Sequence, residues 1–137
     1  MKAAEFIGCT LLGLQIAEDK CALLFKTDRG DVLVRCEADC CSHTWIEHID
    51  LPARGFPAVV QSSDRLEMPD LGSPSEDRCI AYYGHKIVTD KGDLLIDFRN
   101  ESNGYYGGSL SWPWDSYFYG GVFDQNVSNE KWVEVQP

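Results

Sequence analysis

The sequence predicts an α+β fold: a single domain, mostly antiparallel β-sheet built from hairpins, with one short helix. Three observations predict it. First, Thr27-Asp28-Arg29-Gly30-Asp31-Val32-Leu33-Val34 reappears as Thr89-Asp90-Lys91-Gly92-Asp93-Leu94-Leu95-Ile96. In each copy an Asp at the corner and a Gly able to take positive φ stand between two apolar runs, which is the chemistry of a tight hairpin turn. Second, the flanking runs alternate apolar and polar residues, as half-buried strands do. Third, Trp45, Ile46 and Ile49 recur at helical spacing between a possible N-cap at Ser42 and a stop at Pro52.

Taken in order, Phe6 to Ala17 is apolar and ends at the turn Glu18-Asp19-Lys20; a helical turn leading into a strand fits it. Cys21 to Thr27 is a strand with Cys21, Leu23 and Phe25 on one face. Val32, Val34 and Cys36 return along its partner. Leu33 points the other way and is also apolar, so both faces are expected to be partly covered. The short helix follows the Cys40-Cys41 pair. Ala58 to Gln61 reads as a brief strand. Ser62 to Asp77 holds Pro69, Gly72 and Pro74 and reads as a loop with a strand at Arg65 to Met68. Cys79 to Val88 and Asp93 to Arg99 form the second hairpin, with Leu94, Ile96 and Phe98 on one face. After the turn signal Glu101-Ser102-Asn103-Gly104, Tyr105 to Trp112 is expected to pair with the strand before it. Gly104, Gly107 and Gly108 suggest a bulge or a close backbone approach. Lys131 to Val135 alternates and fits an edge strand. No composition shift divides residues 1–137. The repeat itself is compatible with duplication or with convergence on one turn type.

At Asp39-Cys40-Cys41, and again at Glu101-Ser102-Asn103-Gly104-Tyr105-Tyr106, the chain resembles an uncharacterised family of small phage and bacterial proteins, carried as a domain of unknown function. The shared order is a Gly-containing opening strand, a hairpin, the Cys pair with an acidic short helix, further strands and the Glu-Ser-Asn-Gly-Tyr-Tyr motif. The likeness spans about Ile7 to Ser111 and leaves residues 112–137 as an aromatic C-terminal extension. The family pattern places an acid after the Cys pair, where this chain has Ser42 and His43. The resemblance implies a fold and a phage-like context, and it transfers no catalytic residue.

Composition narrows the function classes. Twelve basic residues against 22 acidic ones give a net charge of −10. Such a field repels nucleic-acid backbones and anionic membranes and favours a basic protein partner. No apolar run reaches the ~18–20 residues of a membrane helix. The N-terminal apolar run is too short and too interrupted for a secretory leader, so a cytoplasmic location is expected. The six cysteines are then expected to be reduced.

Chemistry-bearing residues crowd between positions 36 and 48: Cys36, Cys40, Cys41, His43 and His48. Thiolate and imidazole are the ligands zinc prefers. However, the segment lacks a Cys-x2-Cys knuckle, and adjacent cysteines diverge. The expectation is therefore no metal or cofactor, with the thiols packing a junction and the histidines on the surface. The alternative is a small zinc- or thiol-dependent enzyme centred on Cys40, Cys41 and His48, with Asp39 or Glu47 orienting an imidazole. The remaining signal is aromatic: Tyr105, Tyr106, Trp112, Trp114, Tyr117, Phe118 and Tyr119. Trp and Tyr dominate binding hot spots, and they also lid sheet cores. The expected function is a non-enzymatic protein-binding module using Trp112, Trp114, Tyr117, Tyr119, Tyr105 and Tyr106. More specifically, a phage or mobile-element inhibitor of a basic nucleic-acid-binding defence enzyme or toxin is expected. A structural phage component is a further alternative.

Overall fold

A computed structural model describes residues 3–38, 42–67, 79–102, 108–114 and 131–136. The fold is all-β, not α+β. One helical turn, α1 (Ala3–Phe6), precedes β1 (Thr10–Ala17), β2 (Ala22–Thr27), β3 (Gly30–Ala38), β4 (His43–Asp50), β5 (Ala58–Glu67), β6 (Cys79–Thr89), β7 (Gly92–Ser102), β8 (Gly108–Ser111) and β9 (Trp132–Glu134).

The expected helix after the Cys pair is strand β4, and the reason for the misreading is local. β4 pairs with β7, and the register slips between Ile46 and His48. This β-bulge absorbs one residue, so Thr44, Ile46 and Ile49 all turn to the covered side. The inward spacing of three that results imitates a helical period. Strand β5 is also longer than expected and runs unbroken through the segment read as loop, as far as Glu67.

The hairpins β2–β3 and β6–β7 form as predicted, with matching turns. Thr27 Oγ1 donates to the Gly30 carbonyl and accepts from Arg29 N–H; Thr89 does the same with Gly92 and Lys91. Gly30 and Gly92 have φ of 119° and 121°, a backbone region that excludes most side chains. The corner aspartates match too. Asp28 accepts from Thr10 N–H at 2.9 Å, and Asp90 accepts from Val59 N–H at 2.8 Å. Each Asp thereby ties its turn to the start of a neighbouring strand.

These matches extend to the whole sheet. The strand order is β4-β7-β6-β5-β1-β2-β3-β8, with β9 added to β1. The order is a palindrome of two units, β1–β2–β3 and β5–β6–β7. The strand following each unit crosses to pair with the other: β4 joins β7, and β8 joins β3. Tyr105 to Trp112 was expected to pair with the preceding strand; its described part, β8, pairs instead with β3. Both first strands carry a register shift at the same place, between Leu11 and Gly13 in β1 and between Val60 and Ser62 in β5. The units meet at Thr10↔Val59, equivalent positions in the two copies. The two ends of the sheet meet at another equivalent pair, Thr44 and Gly108. A Cβ on Gly108 would overlap Thr44 Oγ1 and touch Asn100 Nδ2 at 3.0 Å. Gly108 is thus the close approach that the glycine-rich stretch suggested. The sheet curls into a nearly closed barrel with approximate two-fold internal symmetry.

The barrel interior is the main core: Leu11, Leu14, Leu23, Phe25, Val32, Val34, Ile46, Val60, Ile87, Leu94, Ile96 and Phe98. Phe6 of α1 and Trp112, after β8, insert into it. Outside the barrel, Ala17, Ala22, Leu24 and Leu33 form a second small cluster covered by Trp132 of β9. The sequence-based expectation that Leu33 is covered on its own face is met, as is the edge strand at Lys131 to Val135.

Candidate functional site

Of the predicted site residues, the described ones are Trp112, Trp114, Cys36, His43 and His48. Trp112 is 5 % exposed and belongs to the core, its ring 5.6 Å from Phe25 and 5.2 Å from Trp114. Trp114 is half-buried beside Phe6. Tyr105, Tyr106, Tyr117 and Tyr119 lie outside the described residues, as do Cys40 and Cys41. Cys36 is half-buried on β3, and its Sγ sits 3.9 Å from the Lys20 carbonyl. Burial pushes the Cys36 thiol up to about 12, so it is not a nucleophile at neutral pH. Burial also raises Cys9. His43 and His48 are exposed on β4, on the face opposite the buried Thr44 and Ile46. His43 stacks on Trp45 at 5.5 Å, and His48 Nε2 pairs with Asp50 Oδ1 at 2.8 Å. Among the described residues, no three His, Cys, Asp or Glu side chains converge as a metal site. Of the described members, Cys36 packs against the interior core, while His43 and His48 lie on the outer face of the barrel wall.

Two other constellations do form. The first is on the outer face of β4, β7 and β6. Register aligns Trp45, Arg99 and Tyr82 in one row across the three strands. The Arg99 guanidinium lies 4.7 Å over the Tyr82 ring. Glu47 accepts from Trp45 Nε1 at 2.7 Å and approaches Arg99 Nη1 at 3.7 Å. Asp97 Oδ2 accepts from Arg99 Nη2 at 3.3 Å. Asp97 Oδ1 and Arg99 Nε have no hydrogen-bond partner. Asp50, Asp97 and Glu101 give the row a negative frame. Among the described elements, none packs across this face.

The second is inside the barrel wall. Ser63 and Arg65 of β5, His85 of β6, Phe6 of α1, Trp112 and Trp114 line a cavity of about 490 Å³. Ser63 Oγ lies 2.7 Å from His85 Nε2, the donor set by the imidazole tautomer. The His85 ring lies 4.9 Å from Trp112. Arg65 is exposed at the mouth, its guanidinium 4.7 Å over Tyr83, which in turn stacks on Phe98 at 5.3 Å. Sequence reasoning missed the outer row, and of the cavity it singled out only Trp112 and Trp114. Ser63 fell in a segment read as loop, Arg65 at the start of the strand expected at Arg65 to Met68, and Trp45 in a segment read as helix.

The chain belongs to the family described as Domain of unknown function (DUF7448), which matches residues 5–112. No curated protein and no solved structure matches the chain. Among the described residues, no helix is long and apolar enough to cross a membrane.

Proposed function

We propose that this protein is a non-enzymatic binding module that docks on a basic protein through the outer face of β4, β7 and β6. The observation that carries this reading is the row Trp45–Arg99–Tyr82 with its frame of Glu47, Asp97, Glu101 and Asp50. Trp, Tyr and Arg are the side chains that most often anchor interfaces: the two aromatics cover a large area with few rotatable bonds, and Arg adds a planar fork of donors. The carboxylates supply charge complementarity to a basic surface, and the net charge of −10 speeds encounter with one. The row is not repeated in the other unit, where Glu37 and Ser109 stand at the positions equivalent to Arg99 and Trp45.

In its finer form, the partner is a basic, nucleic-acid-binding defence enzyme or toxin, and the protein is a phage or mobile-element inhibitor acting in the cytoplasm. Tyr117 and Tyr119 of the C-terminal extension, which lie outside the described residues, would add to the same role. The test is capture from host lysate, purification of the captured protein and chemical-shift mapping on the labelled chain. Shifts confined to residues 43–50, 80–86 and 97–101, loss of capture with Trp45→Ala, and release between low and moderate salt are the expected results. A captured partner that is acidic, or shifts located elsewhere, would reject the reading.

A further inference from the structure

The internal symmetry allows the two units to be compared residue by residue. Counting from the shared register shift, Leu14↔Phe25 and Ile16↔Leu23 in β1–β2 correspond to Ser63↔Ile87 and Arg65↔His85 in β5–β6. In the first unit these inward positions hold Leu14, Ile16 and Leu23, and both leucines are fully buried. In the second they hold Ser63, Arg65 and His85. One fold therefore packs these positions with hydrocarbon in one copy and places three polar groups around a cavity in the other. Stability does not require that exchange, since the same scaffold closes with Leu and Ile at equivalent points. Exchanging two buried leucines and a half-buried isoleucine for hydroxyl, imidazole and guanidinium costs transfer free energy and packing.

From this we infer that the cavity is a binding site for a small flat anion: an aromatic or heteroaromatic ring carrying one carboxylate or phosphate group. Its volume of about 490 Å³ suits a small organic ligand. Phe6, Trp112 and Trp114 supply flat apolar walls, and the two indoles are nearly parallel, with an interplanar angle of 16°. A ring entering beside them gains offset-stacking contacts. Arg65 at the mouth presents a planar fork of donors matched to a carboxylate or phosphate. The Ser63–His85 pair sits deeper and offers a hydrogen-bonding edge to a polar ring atom. The overall negative charge opposes an anion only weakly at this distance. At physiological ionic strength charges beyond about 8 Å are largely screened, which leaves Arg65 to dominate the mouth. The inference stands apart from the protein-docking reading, because the cavity and the outer row lie on opposite faces of the sheet.

The test uses the full chain and four probes: 2-naphthoate and its neutral amide, and adenosine 5′-monophosphate and neutral adenosine. Titration calorimetry gives affinities, and the indole N–H signals of Trp112 and Trp114 report the site. At least one anion is expected to bind tenfold or more tightly than its neutral counterpart and to shift both indole signals. Whichever anion binds tells whether carboxylate or phosphate is the natural head group. Arg65→Gln should weaken that anion roughly ten- to hundredfold and erase the charge preference, with Arg65→Lys recovering part of it. The variant combining Ser63→Leu, Arg65→Ile and His85→Leu copies the first unit; it should stay folded and lose binding. Trp45→Ala should leave binding unchanged. Absence of binding by both anions at millimolar concentration, equal binding of neutral probes, or an unaffected Arg65→Gln variant would each overturn the inference.

Discussion

The β1–β2–β3 unit and the β5–β6–β7 unit share turns, a register shift and inward-facing positions, yet they have been put to different uses. In the first, Leu14 and Leu23 fill the inside, while Leu24 and Leu33 are sealed outside by Trp132. In the second, Ser63 and His85 stand inside, and the outside carries Trp45, Tyr82 and Arg99 without a covering strand among the described residues. Since the scaffold is common, the backbone cannot be the cause of the difference. Side chains that the fold does not demand are the ones available for binding, and they concentrate in the second unit. This contrast separates residues that hold the barrel from residues that can do something with it.

The contrast breaks most sharply at the seam. Gly108→Val should be the most damaging change, because its side chain would run into Thr44 and Asn100. A cost of about 4 kcal/mol or more is expected in chemical unfolding, of the size seen for severe overpacking. The mirror position tolerates more: Thr44→Ala only removes atoms and one of two acceptors for Asn100 Nδ2.

Next come exchanges between the units. Leu23→His imports the second unit's choice into a fully buried site and should cost about 3–5 kcal/mol. The reverse change, His85→Leu, should leave stability equal or raise it by up to about 1 kcal/mol, measured by the same unfolding curves. If both exchanges destabilise equally, the polar set is structural and the comparison fails.

The two turns test the symmetry more finely. Gly30→Ala and Gly92→Ala both force a side chain into positive φ, at a cost of about 1–2 kcal/mol. Gly92→Ala should be the worse of the two, because its Cβ would meet Ala53 N at 3.0 Å, while nothing lies within 4 Å at Gly30. Thermal melts of the two variants side by side decide this.

The last expected effect, and the smallest at pH 9, is a pH dependence at Cys36, whose equivalent in the second unit is Phe98. Burial raises the thiol in the folded state from 9.0 to about 12, so above pH 9 the unfolded chain loses its proton first. The folded state then binds more protons, and stability falls as pH rises from 9 towards 12, by at most about 1.4 kcal/mol per pH unit. Below pH 9 the contribution is flat. Cys36→Ala should remove this part of the alkaline slope, read from urea midpoints at pH 8, 9 and 10.

Much of the scaffold was legible without coordinates. The repeated Thr-Asp-basic-Gly-Asp turns predicted both hairpins, alternation predicted the shared face of Leu94, Ile96 and Phe98, and the apolar Leu33 predicted cover on its side. The site was far less legible. Trp45 was misread because the bulge near Glu47 changes the spacing of inward residues, and a bulge has no one-dimensional signature. Ser63 was misread because Pro69, Gly72 and Pro74 further along coloured the stretch between the strands expected at Ala58 to Gln61 and Arg65 to Met68 as loop. Trp112 looked like a surface ring because its place beside Phe25 depends on β8 crossing to the other unit.

Turn chemistry and the period of two act over a few residues, so the sequence by itself determined where the two hairpins run and reverse. Only the tertiary structure decided that β4 and β8 exchange partners, that Thr44 and Gly108 close the sheet, and that Ser63, Arg65 and His85 share a cavity with Trp112. The physical reason is range. Those contacts join residues far apart in the chain, and their geometry follows from curvature accumulated over the whole sheet, which no short window of sequence contains.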